Sequence, residues 1–138
     1  MNWLDLVKLV VAAVGGFLSW MFGGWDMSVL VLVVFVCADY LTGIIAAGIN
    51  RELSSAVGFR GIAKKLLIFV MVAIGAMLDR YLGQDFVRDA ACTFYIANEG
   101  LSILENVGRA GVQYPAKLKA VIAALNKDDA ADEAEKEE

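Results

Sequence analysis

Few residues in this chain are equipped for chemistry, and most of them sit in apolar surroundings. Asp39 is the one charge in the run Met27 to Ile49, with Thr42 one helical turn on and the small residues Gly43 and Ala47 beside it. Counting from Ser28 at 1.5 Å per residue places Asp39 roughly 16 Å deep, near the middle of a hydrocarbon core about 30 Å thick. An isolated ionised carboxylate is strongly disfavoured there, so Asp39 must be protonated, hydrogen-bonded or in contact with water. A second group lies further along. Tyr95, Asn98, Ser102 and Glu105 share one helical face, with Glu99 and Asn106 beside them. Phe94, Ile96, Leu101, Ile103 and Leu104 occupy the other side. Measured from Asp89, Asn98 lies roughly 13–14 Å deep, close to the level of Asp39. These groups can form a polar seam between helices, within or between protomers, or a face that lines water. Alternatively they pair inside one chain and only hold a bundle together. The seam or lumen is favoured, because one chain offers few polar partners for Asp39, Asn98, Glu99 and Glu105 together.

The bases are concentrated elsewhere. Arg51, Arg60, Lys64 and Lys65 form a basic loop before the third apolar stretch. Topology control and contact with lipid head groups are the plain reading of them; a specific pairing of Arg60, Lys64 or Lys65 with Glu105 or the C-terminal segment is the alternative. Pairing with Asp39 is not expected, because Asp39 lies about 15 Å above that surface by the same rise per residue. No catalytic constellation is present: there is no histidine, no metal-ligand cluster and no phosphate-binding loop, so neither a catalytic residue, a metal site nor a cofactor is expected. Cys37 and Cys92 both fall within spans and read as small apolar residues, without a disulfide.

The elements that must position these residues follow from composition. The chain has 138 residues, 59% of them hydrophobic and 20% charged. Its mean hydropathy is +0.64. So small a domain cannot hide that excess from water, which argues against a soluble monomer. Four spans are expected at about 4–25, 27–49, 62–82 and 86–107, within a transmembrane helical domain of residues 1–113. A spanning helix needs about 20 largely apolar residues. The fourth stretch carries Arg88, Asp89, Asn98, Glu99 and Glu105, so it needs protein or water on one side. A cleavable leader at residues 1–25 is the competing reading for the first span, but its only early base, Lys8, is accompanied by Asp5. Retained, the segment shows Gly15, Ser19 and Gly23 at intervals of four, either a spacing that lets helices approach closely in lipid or simply a Gly-rich, flexible span.

Orientation follows from the bases. Lys and Arg gather between the second and third spans and after the fourth, at Arg109, Lys117 and Lys119. Both termini are therefore expected in the cytoplasm. Pro115 suits the first position of a helix. Leu118, Val121, Ile122 and Leu125 then recur at amphipathic spacing, so residues 114–126 read as a cytoplasmic amphipathic helix, either interfacial or packed on a partner, in preference to a short soluble linker. Asn126 to Glu138 carries seven acids and two bases, leaving a net +1 for the rest of a chain whose total is −4. Residues 127–138 read as a mobile acidic tail. No basic patch points to nucleic acid. The fold class is thus an all-α membrane protein of about four transmembrane helices plus a C-terminal amphipathic helix, expected to form homo-oligomers.

Three sets of residues carry a resemblance. Asp39-Tyr40-Leu41-Thr42-Gly43 looks like a D-x-x-T-G element. Ser54-Ser55, Gly58, Gly61 and Lys64-Lys65 precede a span ending in Leu78-Asp79. Most specific is the run Asn98 to Asn106, followed by Gly111-Val112, Pro115 and Leu118. Over about residues 28–125 the chain resembles the toxin-secretion/phage-lysis holin family. The resemblance implies a non-enzymatic phage or prophage protein that accumulates in the bacterial cytoplasmic membrane, associates with itself and with membrane lipids, and opens lesions. Its functional partner would be an endolysin or a toxin that passes through them. Two other classes fit the residues: an ion channel or transporter subunit with graded conductance, and a membrane protein that regulates a holin (an antiholin).

Overall fold

Local chemistry sets the starts of the first three helices and the ends of the first and third. The computed structural model describes residues 1–125. The expected acidic tail at 127–138, and Asn126 at the end of the expected amphipathic helix, lie outside the described residues. Within them the chain is all-helical: α1 (Trp3–Phe22), α2 (Met27–Ile49), α3 (Ser55–Leu82) and α4 (Val87–Arg109), then α5 over residues 116–125. Side-chain oxygens of Asn2, Asp26 and Ser54 accept the N–H groups of Asp5, Val29 and Val57, which otherwise lack partners in a first turn. Gly23 and Gly83 end α1 and α3 in the left-handed conformation.

Three helices, α1, α2 and α3, are long and apolar enough to cross a membrane. The fourth is as long as α2 but more polar, and α2 and α3 pack on it, whereas α1 meets α3. Helix α4 runs along both α2 and α3, whereas α2 and α3 touch one another sparingly. This arrangement covers Glu99 and Asn106 of α4 with protein, while Tyr95, Asn98 and Ser102 are half-buried and Glu105 is exposed. The expected third span was to begin near residue 62; α3 instead begins at Ser55, so Arg60, Lys64 and Lys65 lie on the helix and not in a loop before it.

The interior has two halves. Near the α1–α2 turn, Phe22, Val29, Leu32, Val36, Ile68, Val72 and Cys92 form a closed apolar core. Toward the α2–α3 loop the same helical stripes continue with polar residues. On α2 the buried positions run Val29, Leu32, Val36, Asp39 and Ala46. On α4, Cys92, Glu99 and Asn106 are buried one heptad apart.

Helix α1 is the outlier. Residues 1–14 are exposed on every side, and only the end of the helix reaches the bundle. That end is held by cations. Arg88 donates to the carbonyls of Phe22 and Gly23, each at 3.2 Å, and pairs with Asp26. Arg80 donates to the Trp20 carbonyl and lies 5.1 Å from the centre of the Trp20 ring. Carbonyls at a helix C-terminus lack intrahelical partners and carry partial negative charge, which is why guanidinium groups settle there.

Helix α5 turns back onto the bundle. Ile122 is buried against Gly100 in the middle of α4. The stripe expected to lie on a membrane or partner surface thus sends one member into this chain's own α4, while Leu118 and Val121 stay exposed.

Candidate functional site

At the level where the apolar core ends, three charged side chains from three helices meet. The Lys65 ammonium donates to Oδ2 of Asp39 and to Oε2 of Glu99. Asn106 completes the group: its Nδ2 lies 3.0 Å from Oδ1 of Asp39, 3.2 Å from the Asp39 carbonyl and 3.2 Å from Oγ1 of Thr42. The Thr42 hydroxyl donates in turn to the Asp39 carbonyl at 3.1 Å. Gly43 leaves room for this amide, since a Cβ there would stand 3.4 Å from Asn106 Nδ2. One cation thus serves two carboxylates, and the side chains of all three are largely buried.

This overturns one expectation. Lys65 pairs with Asp39 because both stand equally far from the α2–α3 loop: Asp39 is ten residues before Ile49 and Lys65 ten residues after Ser55. Each is about 15 Å in. The expected depth of Lys65 assumed a helix starting near residue 62. Helical phase carries the signal that could have found it. Lys65 precedes Ile68, Val72 and Ala76 on the buried stripe of α3, whereas Lys64 lies off that stripe and is exposed. The premise that one chain holds too few partners for the acids also fails for Asp39 and Glu99, which Lys65 satisfies.

A cavity of about 700 Å³ opens beside the cluster, between α2, α3 and α4. Asp39, Gly43, Lys65, Glu99 and Asn106 line it from the cluster, and Tyr95, Asn98 and Ser102 from α4. Arg60, Lys64, Glu52 and Arg109 also line it. Arg109 pairs with Glu52 at 2.7 Å, and Asn50 donates to the Arg109 carbonyl at 3.2 Å, which ties the α2–α3 loop to the end of α4. Arg60 and Lys64 have no ion pair among the described residues. Glu105 is exposed and lies outside the cavity lining, apart from the residues it was grouped with. Arg51 is exposed in the loop with φ of 58°, also outside the lining. Pro115 stands immediately before α5, where its carbonyl accepts the Leu118 N–H.

A second polar knot at the opposite end was not expected. Asp79 is buried at the end of α3, and its two oxygens accept the N–H groups of Val87 and Arg88 at 2.9 and 3.0 Å. It therefore caps α4 from another helix. Gly75 allows the approach: a Cβ there would lie 3.0 Å from Arg88 Cα. Asp26 receives Arg88 across the same corner. Burial alone would raise its pKa, but the hydrogen bond from Arg88, the Val29 N–H and the Arg88 charge together hold it below the ordinary carboxylate value.

These features suit a bundle with a dry apolar half and a half that admits polar contacts, not a catalytic centre. Cys92 is buried in the dry half and Cys37 exposed on α2; both are free thiols.

Comparison with known proteins agrees with a membrane-inserted bundle. Residues 16–127 match the bacteriophage holin family. An uncharacterised 14.9 kDa protein of Clostridium perfringens is 43% identical over 91% of this chain and 96% of its own length. An uncharacterised protein of Listeria monocytogenes is 43% identical over 93% of this chain and 92% of its own. A protein of Bacillus phage phi105 described as a probable holin is 32% identical over 92% of this chain and 90% of its own. No solved structure matches significantly.

Proposed function

The chain belongs to the bacteriophage holin family, whose members are non-enzymatic, pore-forming membrane proteins, and from that premise we propose that it is a phage or prophage holin. It crosses the bacterial cytoplasmic membrane four times with both termini in the cytoplasm, α4 being the fourth crossing. It accumulates there, associates with further copies of itself and opens lesions through which an endolysin or a toxin leaves the cytoplasm.

The observation that carries this reading is the Asp39–Lys65–Glu99 cluster at mid-depth in α2, α3 and α4. Charges in a hydrocarbon interior are costly and mark functional positions. An ion cluster that is satisfied when the bundle is closed can be re-satisfied by water when helices separate. Two packings separated by a modest gap would then give a switch that responds to protein concentration. Asn98, Ser102 and Glu105, which the cluster does not use, are the seam residues left to face water or a second copy.

The test is induced expression in a bacterium with the membrane potential followed in time. Growth should halt and the potential collapse abruptly after a delay, and a co-expressed endolysin should then lyse the cells. A graded, ion-selective current without release of the enzyme would indicate a channel instead. Delayed lysis when the chain is co-expressed with another holin, with no lysis alone, would indicate an antagonist. Asp39→Ala and Glu99→Ala should shift the time of collapse or the assembly more than the inserted amount. Equal timing in both variants would remove the cluster from the mechanism.

A further inference from the structure

Between the end of α1 and the length of α3 lies a groove of about 1050 Å³ whose walls are almost wholly apolar. Leu18 and Met21 line it from α1, and Leu66, Val70, Ala73 and Tyr81 from α3. From Tyr81 to Leu66 it follows roughly 22 Å of helix. That exceeds the roughly 15 Å an acyl chain spans in one half of the hydrocarbon core. Such walls do not hold water. In a membrane the groove is filled by acyl chains or by side chains.

One end of the groove carries a cation. Arg80 stands next to Tyr81 and touches two lining residues, Trp20 and Met77. Its guanidinium donates to the Trp20 carbonyl and lies 5.1 Å from the centre of the Trp20 ring, which fixes it at the head of the groove. It has no ion pair among the described residues, and further N–H donors are left over. Three acids at this end are engaged elsewhere: Asp26 and Asp89 pair with Arg88, and Asp79 caps α4. Trp20, Trp25 and Tyr81 line the same end, and such rings settle at the level of lipid head groups.

A fixed cation at the head of a long apolar trough matches the build of one amphiphile. Guanidinium groups take phosphate oxygens through paired N–H donors, and the trough takes the chain that follows. A second copy of this chain would have to bring an acid to that level, where Asp26, Asp79 and Asp89 are already in use. We infer that the α1–α3 groove binds an anionic phospholipid, with its phosphate on Arg80 and one acyl chain laid along α3 from Tyr81 toward Leu66. The lipid fills the seam that α1 and α3 leave between them, so the seat of α1 depends on it as well as on Arg80 and Arg88. This inference rests on the membrane crossings proposed above and not on self-assembly or lesions.

The test uses the full chain carrying Trp3→Phe, so that Trp20 and Trp25 are the indole emitters. It is reconstituted into phosphatidylcholine vesicles containing a rising fraction of lipid brominated on its acyl chains, either phosphatidylglycerol or phosphatidylcholine. Bromine quenches indole emission on contact, and insertion is checked by resistance to alkaline extraction. Brominated phosphatidylglycerol should quench at a roughly fivefold lower fraction than brominated phosphatidylcholine, the ratio one basic side chain near an anionic surface commands. Arg80→Gln should make the two curves coincide. Ala73→Phe, which fills the groove and leaves Arg80 in place, should weaken quenching by both lipids and abolish the preference. Equal curves in the parent overturn the inference. An unchanged preference in Ala73→Phe also overturns it, because Arg80 then only gathers head groups at the surface. Quenching that fades as protein density rises, with cross-links between copies, assigns the groove to a second copy and overturns it too. Extraction of the parent by alkali removes the crossings themselves, and the inference with them.

Discussion

Lys65 and Asp39 occupy the same height on antiparallel helices, ten residues from either end of the loop between them, and the Lys65 ammonium closes on the Asp39 carboxylate. Glu99 meets the same ammonium from α4. Two helices that scarcely touch elsewhere are thus joined through charge, with the fourth helix as the common backing.

Removing the cation should cost most. Lys65→Met leaves two buried carboxylates facing one another without compensation. The expected loss is about 3–5 kcal/mol, the range for breaking a buried ion pair on one side. Unfolding in mixed micelles measures it. Adding Asp39→Asn and Glu99→Gln to Lys65→Met should restore most of the loss. No recovery would mean that the lysine acts by packing and not by charge.

Gly75 is the close-approach point of α3 and α4. Gly75→Ala forces a methyl group to 3.0 Å from Arg88 Cα, where backbone has to move. A destabilisation of about 1–3 kcal/mol is expected for such overpacking. Gly15→Ala, at an open site on α1, should be neutral or slightly stabilising by comparison.

The cap that Asp79 supplies to α4 can be read locally. Asp79→Ala removes both acceptors from the Val87 and Arg88 N–H groups. The cost should be about 0.5–2 kcal/mol, as for other lost N-caps. Amide exchange should quicken in the first turn of α4 and stay unchanged near Arg109.

Acid should loosen the α1–α2 corner. Asp26 has a folded pKa below its unfolded value of about 3.9. Its contribution is therefore complete above that value and is lost as pH falls through the folded one. Exchange of the amides at Gly23 to Asp26 should rise below about pH 4, modestly, because Asp26 is half exposed and screened. In Asp26→Asn that acid dependence should vanish.

Much of this protein could be read directly from residue order. Long uncharged runs make membrane-length helices whatever surrounds them, because hydrocarbon admits no unsatisfied backbone. The start of α2 at Met27 and the need of α4 for protein cover both follow from where charges fall. Capping residues such as Asp26 and Ser54 mark helix starts by local hydrogen bonding alone. Asp39, Glu99 and Asn106 stand out because polar groups in apolar stripes are costly wherever the stripe is buried.

Tertiary structure decided which of those groups meet. The first residue of α3 sets the depth of Lys65, and a shift of seven residues carries it from the surface to the level of Asp39. Hydropathy alone does not reveal that start; the Ser54 cap and the helical phase of Lys65 with Ile68 and Val72 have to be weighed. The caps by Asp79 and Arg88 link residues of different helices and leave no local pattern. The seat of Ile122 on Gly100 likewise exists only where α2, α4 and α5 converge. Propensity and hydropathy act over a few turns of one helix, whereas these contacts depend on how separate helices are placed in space.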